Sequence, residues 1–463
     1  MKTTQTLWFL GLIAMAPLSV SANSLLDVYE LALKNDAQLQ ADEAAYEAGL
    51  ENRAIGRSSL LPEVDASAYY SEGEQENLNN LAENSDERIK ETESEGSGWE
   101  ISLSQPLFNM AAWYNYKRGA TLSELAEVQF GAAQQDLIVR VAQAYFNVLR
   151  AIDNLETAMA EEEALAQQLE QTQQRYEVGL TAITEVLEAR SVYDSAVANV
   201  LQAKGDLGIA YEDLEVMTGT PINALAPLPD DFEAVRPTPT DRHAWVEFAL
   251  ENNYQLKAAQ LNTRASEQSA KVSKSQHLPT LGLSASYSDT ASEGSQFLGG
   301  QVFNSDSESE GHSIRLSLNV PLYSGGGISA ERRQAHAQYL QARAEFNRTQ
   351  RSVIQSTRSL HLSVETGVSQ VEARRQAIVS ARSALEATQS GYEVGTRNLV
   401  EVLLAQQAVY QAERDYQDAL YNYIINTFQL REAAGMLTPA DVQRVDAALA
   451  QDEMLRRNDY DVY

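Results

Sequence analysis

The stretch Tyr392-Glu-Val-Gly-Thr-Arg-Asn-Leu-Val-Glu-Val-Leu-Leu-Ala405 has a twin, Tyr176-Glu-Val-Gly-Leu-Thr-Ala-Ile-Thr-Glu-Val-Leu-Glu-Ala189, placed 216 residues earlier. Tyr-Glu-Val-Gly, Glu-Val-Leu and the final Ala coincide. Each copy lies between two long segments of helical spacing. Gly179 and Gly395 then fall just past a helix end, where a left-handed backbone closes the last turn and glycine enters without steric cost. Thr181 or Thr184, and Thr396 or Asn398, stand where the next helix needs a cap. Each copy therefore reads as the sharp tip of a helical hairpin.

The repetition extends outward from the tips. Leu33-Lys-Asn-Asp-Ala-Gln-Leu39 matches Leu250-Glu-Asn-Asn-Tyr-Gln-Leu256, and Leu61-Pro62 matches Leu278-Pro279. Pro106-Leu107-Phe108 matches Pro321-Leu322-Tyr323. The chain divides into two copies of one unit, residues 23–219 and 242–436. A linker at 220–241 holds Pro221, Pro227, Pro229, Pro237 and Pro239, and a tail follows at 437–463.

Each unit reads as helix, two strands, long helix, tip and return helix. Residues 25–60 are rich in Ala, Leu, Glu and Gln and predict one helix, stopped by Pro62. The period then changes from 3.6 to 2. Val64, Ala66, Ala68 and Tyr70 alternate with Asp65, Ser67 and Tyr69. The same alternation places strands at about 62–72, 97–107, 279–289 and 312–322. Tyr70, Trp99, Phe108, Trp113, Tyr287 and Tyr323 stand near strand ends, as at a membrane interface. One reading is a soluble sheet packed on helices. The other is a membrane barrel with one apolar and one small-polar face. Four strands cannot close a barrel, so in the second reading several chains share one.

The segments between paired strands, Glu72 to Glu95 and Ser288 to His312, read as exposed polar loops; the first carries nine acidic residues against Arg88 and Lys90. Residues 112–176 and 328–392 contain no proline. A helix of about 65 residues reaches roughly 100 Å. Ala, Leu and Val recur there at three- and four-residue spacing, as in coiled coils. Such helices need lateral partners, either an antiparallel rod or a ring around a tunnel. The tail ends in the charged run Leu455-Arg-Arg-Asn-Asp-Tyr-Asp461 and is expected to be partly disordered.

Lys2, an apolar run from Leu7 to Leu18, and Val20-Ser21-Ala22 form an export signal with cleavage expected after Ala22. The 463 residues include no cysteine, which excludes disulfides and an N-terminal lipidated cysteine. The net charge of −30 disfavours nucleic-acid binding, which needs basic surface. The five histidines, His243, His277, His312, His336 and His361, are scattered. No metal-spaced pair, nucleophile elbow or phosphate loop is present, so no cofactor and no enzymatic activity are expected.

These features resemble the TolC-type outer-membrane efflux proteins, over essentially the whole mature chain. The resemblance rests on Arg175-Tyr-Glu-Val-Gly-Leu-Thr-Ala-Ile-Thr-Glu-Val186 and Gly391-Tyr-Glu-Val-Gly-Thr-Arg-Asn-Leu-Val-Glu-Val-Leu403. The Pro-Leu-aromatic exits from the strands support it, the second followed by Gly325-Gly326-Gly327; the first reads Asn109-Met110-Ala111 instead. The absence of cysteine matches the non-lipidated branch. The resemblance implies a mainly α fold with a membrane β-barrel. Three chains would share a 12-stranded barrel, roughly a size that closes around an open lumen, above a long α-helical barrel crossing the periplasm. The tips would close that duct and open like an iris.

The partners implied are two further copies of the chain, a periplasmic adaptor (membrane fusion) protein, an inner-membrane efflux pump or ABC exporter, and outer-membrane lipid. Drugs, toxins or other exported substrates, as in type I secretion, would be the cargo. By motif position, Arg397 would bond Thr184 and Glu185, and Tyr392 would bond Gln174 or Glu185, to lock the tips. Glu401 would form an acidic ring at the constriction. Leu404 stands where a second acidic ring is usual, leaving an apolar ring. Gly179, Leu180, Gly395 and Thr396 would meet the adaptor. Without the resemblance, Arg397 and Glu401 read as a solvated pair on one helix. The alternative for the whole chain is a soluble periplasmic coiled-coil adaptor or scaffold, against which the four amphipathic strands argue.

Overall fold

A computed structural model describes residues 24–78, 89–229, 231–298, 301–450 and 453–460. The export signal and the centre of the first acidic segment lie outside these residues. The chain forms two compact units, each gathered from separated stretches: the described residues of 1–40, 133–251 and 355–463 in one, and of 41–132 and 252–354 in the other.

The elements run α1 (Leu25–Asn35), α2 (Ala37–Leu50), α3 (Asn52–Ser58), β1 (Glu63–Leu78), β2 (Ile89–Phe108), α4 (Met110–Glu177) and α5 (Ile183–Thr218). There follow β3 (Ala224–Leu225), α6 (Arg242–Asn252), α7 (Tyr254–Ser275), β4 (Thr280–Leu298), β5 (Gln301–Asn319), α8 (Gly327–Glu393), α9 (Leu399–Ala433), α10 (Pro439–Asp446) and β6 (Leu455–Arg456). The fold is mostly helical.

The single helix expected over 25–60 is divided into three. At the first break, the Asp36 carboxylate accepts the Leu39 N–H at 2.7 Å and caps α2 from its start. Arg140 donates to both oxygens of the same carboxylate, at 3.0 and 3.2 Å, which holds Asp36 in that role. At the second break, the Ser123 hydroxyl accepts the Arg53 N–H at 3.1 Å and lies 3.0 Å from the Leu50 carbonyl oxygen. A side chain from α4 thus takes the place of helical partners.

In the unit containing residues 41–132 and 252–354, the four strands form one antiparallel sheet in the order β1-β2-β4-β5. The register sorts side chains by chemistry. Val64, Leu103, Ala285 and Ile314 stand in one row across the sheet. Asp65, Ser102, Ser286 and Ser313 stand in the next row, on the opposite face. The apolar face is uncovered in the single chain: Val64 is 64% exposed and Ile314 78%. Both edges, β1 and β5, present unpaired backbone groups along one side.

The strands extend well beyond their expected ends. The acidic segments read as loops are mostly strand, and the β1–β2 ladder runs on to Leu78↔Ile89. Backbone pairing does not depend on side-chain polarity when both faces are wet. The extension places like charges opposite one another, in the row Glu72, Glu95, Glu293 and Asp306. Such a row is unfavourable; the loop reading came from the acidic, apolar-poor composition of these segments. Below the sheet, Tyr46 of α2 stacks on Phe130 of α4 with ring centroids 5.1 Å apart.

The other unit holds the larger core. Leu137, Leu149, Ile152 and Leu155 of α4, Leu207 and Leu214 of α5, and Tyr421, Ile424 and Phe428 of α9 are buried there with Leu25 and Val28 of α1. The proline-rich linker and the tail are both tied to this unit. Tyr145 donates to the Ala226 carbonyl at 2.7 Å, and its oxygen accepts the Ala226 N–H at 3.1 Å. Tyr423 holds Val235 in the same two-way fashion. The described residues of the tail, 437–450 and 453–460, pack on this unit; the rest of the segment for which partial disorder was expected lies outside the described residues. β6 pairs with β3, Arg457 lies 3.1 Å from Glu212, and Tyr460 donates to Glu156 at 2.6 Å. Within the charged run, Arg457 thus finds an acidic partner on α5 and Tyr460 one on α4.

One half-buried acid gives this unit a pH dependence. Burial pushes the Glu432 carboxyl from 4.5 up to about 7, and the negative charge of Asp136 adds to the rise. The folded protein therefore holds this proton more tightly than the unfolded chain. The stability it contributes is present below pH 4.5 and is lost as the pH rises towards 7. The expected loss is about 3 kcal/mol. Glu432→Gln should raise the denaturation midpoint at pH 8 and leave it nearly unchanged at pH 4. Equal effects at both values would show that the carboxyl is not perturbed.

Candidate functional site

Both hairpin tips belong to the unit of residues 133–251 and 355–463. At the first, Gly179 has φ 78°. Its N–H bonds the Tyr176 carbonyl at 2.9 Å, and the Leu180 N–H reaches back to the Arg175 carbonyl at 2.8 Å. At the second, Gly395 has φ 78°, with the corresponding bonds to Tyr392 at 3.1 Å and from Thr396 to Gly391 at 2.8 Å. Each is a Schellman close, which satisfies the last carbonyls of α4 and α8.

The helix starts differ. Asn398 caps α9 in a reciprocal box with Glu401, with bonds of 2.9 and 3.0 Å. At α5, neither Thr181 nor Thr184 serves as the cap. Ala182 takes that position without a side-chain bond.

Beneath the tips, Leu165 of α4, Ala189 and Ala196 of α5, and Leu399 and Leu403 of α9 form a small buried cluster. Tyr392, at the end of α8, packs against it. Its hydroxyl donates to Glu185 Oε2 at 3.3 Å, which joins α8 to α5. The Arg175 guanidinium lies over the Tyr392 ring, 4.9 Å from its centroid. Burial pushes the Tyr392 hydroxyl up, and Glu185 adds to this while Arg175 opposes it. The hydroxyl therefore stays protonated and remains a donor.

The other residues singled out in the sequence are placed as follows. Arg397 Nη1, in the turn just before the Asn398 cap, lies 2.9 Å from Glu401 Oε1 in the first turn of α9. The Glu401 carboxyl is held below the ordinary range by the Asn398 N–H and then by Arg397. Thr184 is exposed, and Gln174 donates to Glu170 at 3.3 Å. Of the expected links, the structure brings Tyr392 and Glu185 together. It places Arg397 with Glu401 instead of Thr184 and Glu185. Leu404 is 59% exposed, and Leu180 70%. Gly179, Gly395 and Thr396 are exposed beside the apolar residues Val178 and Val394.

Arg175 carries a role that the sequence reading did not assign, although it opens the quoted motif. The signal lies in the alignment of the two tips, where Arg175 meets Gly391 and Thr181 meets Arg397. Each tip holds one arginine, on opposite sides of its turn. Among the described residues, no helix is long and apolar enough to cross a membrane, and no acidic, histidine or cysteine cluster is arranged to hold a metal ion.

Comparison with known proteins bears on the family and the fold. The family model described as "Outer membrane efflux protein" matches residues 28–220 and again 245–436. The outer membrane protein TolC of Vibrio cholerae is 35% identical over 433 residues, covering 93% of this chain and 95% of that protein. The alkaline protease secretion protein AprF of Pseudomonas aeruginosa is 30% identical, covering 95% of this chain and 90% of its own length. Among solved structures, the Campylobacter jejuni CmeC outer membrane channel superposes with a TM-score of 0.73 at 19% identity, over 92% of this chain and 89% of that one. With the family model matched across most of its length and relatives above 30% identity matched nearly end to end, this chain belongs to the outer membrane efflux protein family.

Proposed function

We propose that this chain is one protomer of an outer-membrane exit duct that extends into the periplasm. Three copies share one barrel, each contributing four strands, and the two halves of each chain are copies of one unit. The observation that carries this reading is the sheet. Its edges β1 and β5 are long and unpaired, its apolar rows are exposed, and its opposite face is small and polar. An open sheet of that kind needs partners at both edges and lipid over its apolar face. The long helices α4 and α8 continue as a helical barrel around the same passage.

The duct is passive. Its relatives bear on cargo: one is named for alkaline protease secretion, and the matched family is named for efflux. Drugs, toxins or exported proteins would be delivered by an inner-membrane pump or ABC exporter with its periplasmic adaptor. The exposed apolar residues Val178, Leu180 and Val394 at the tips suit an adaptor contact. The tips close the passage through the Tyr392–Glu185 bond and through Arg397, with Glu401 and Leu404 at the constriction. Opening is an iris-like spread of the tips.

The test is single-channel recording of the purified protein in a planar bilayer, beside membrane fractionation of the producing cells. Small, cation-selective openings from protein recovered in the outer membrane are expected. A folded oligomer that fractionates as a soluble periplasmic protein and conducts nothing would overturn the duct and restore the scaffold reading.

A further inference from the structure

Gly391 lies within α8, two residues before its end. Its backbone is helical, so conformation does not require glycine there, and alanine would favour the helix by about 1 kcal/mol. Space does require it. A Cβ built on Gly391 would stand 2.7 Å from Arg397 Cγ, 3.4 Å from Arg397 Cβ and 3.3 Å from Thr396 Oγ1. The two near carbons are at the root of the Arg397 side chain, not at its flexible end. Cγ, the closer of the two, can retreat only if Arg397 changes its χ1 rotamer, and Cβ is fixed by the backbone. The Gly391 carbonyl also accepts three bonds, from the Thr396 and Arg397 N–H groups and the Thr396 hydroxyl, at 2.8, 3.1 and 3.0 Å. The turn is therefore drawn tightly over this residue and cannot move aside.

The first tip shows the converse arrangement. Arg175 occupies the position of Gly391, and its side chain lies over Tyr392. Thr181, a short residue, occupies the position of Arg397. A large side chain before the glycine turn is matched by a small one after it, and the reverse holds in the other tip.

We infer that Gly391 is a positioning residue of the tip lock: its missing side chain leaves the space over which Arg397 folds back to reach Glu401. The inference rests on the proposed gate role of Arg397. Gly391 makes no contact with cargo and acts only through the arginine.

The experiment compares Gly391→Ala, Arg397→Ala and the double variant, each as the full-length assembled protein in planar bilayers. Heat resistance of the oligomer is measured alongside. The expected result is a rise in open probability with Gly391→Ala comparable to that with Arg397→Ala, about tenfold, and no further rise in the double variant. Heat resistance should be equal to or above that of the parent, because alanine favours the helix. A purely structural role would lower it. If Arg397→Ala opens the channel and Gly391→Ala does not, the positioning role is overturned and the lock stands. If the two effects add in the double variant, Gly391 acts by another route and the inference fails. If neither variant changes the channel, the gate role of Arg397 falls and takes this inference with it.

Discussion

Tyr392→Phe should raise the open probability of the assembled channel by roughly a hundredfold. The substitution keeps the ring, and with it the Arg175 stack and the contact with the cluster of Leu165 and Leu403. It removes only the hydroxyl that donates to Glu185 at 3.3 Å. A hydrogen bond to a charged group contributes on the order of 1.5–3 kcal/mol, and a long one less, about 1 kcal/mol. In the proposed trimer, three protomers opening together would lose about 3 kcal/mol of closed-state preference, and each 1.4 kcal/mol is about a factor of ten. Adding Arg397→Ala should raise the opening further. The readout is the fraction of time spent open in planar bilayers. A Tyr392→Phe channel that opens no more often than its parent would show that the α8–α5 link does not hold the tips.

The largest loss of stability is expected at Tyr145→Phe. Tyr145 and Ala226 are both fully buried. The hydroxyl satisfies the N–H and the carbonyl of Ala226 at once, at 3.1 and 2.7 Å. Burial pushes this hydroxyl far up, so it remains a donor throughout the physiological range. Removing it leaves two buried backbone groups without a partner, each costing about 1–3 kcal/mol. The sum, roughly 3 kcal/mol, exceeds what most single substitutions cost. Tyr145→Phe should lower the temperature at which the oligomer dissociates, whereas Tyr211→Phe should change it little, since the Tyr211 hydroxyl is buried without a hydrogen-bond partner. Equal behaviour of the two variants would refute this account.

The contrast between the tips and the sheet shows what the sequence could convey. The glycine turns were legible because a local rule places them: a left-handed residue closes a helix, and both Gly179 and Gly395 adopt it. The strand alternation was legible where the side chains alternate in polarity. It faded over Glu72–Glu76 and Glu91–Glu95, where the ladder continues on backbone bonds alone. The breaks at Asp36 and Glu51 were hidden for another reason. Arg140 and Ser123, which define them, are distant in sequence. The same holds for Arg175, whose partner Tyr392 lies on another helix. Chemistry settled within a few residues could be read. Chemistry that depends on which helices meet came only through the resemblance, which pointed to Tyr392 with Glu185 and sent Arg397 toward Thr184 and Glu185, whereas the structure pairs Arg397 with Glu401 four residues on, as the local spacing alone suggested.

The pairing of β6 with β3 has a consequence for how the protein is made. Leu225 waits for Leu455, and Glu156 and Glu212 wait for Tyr460 and Arg457. Synthesis and export deliver the chain from its amino end, so these partners arrive last. This unit cannot be completed until residues 455–460 have arrived, and contacts so distant in sequence form slowly. A chain cut short before residue 450 would leave β3 without its partner strand, while Tyr145 and Tyr423 could still hold the linker at Ala226 and Val235. Residues 455–460 thus act as a clasp: without them β3 keeps an open edge, and Glu156 and Glu212 lose the contacts that tie this segment to α4 and α5.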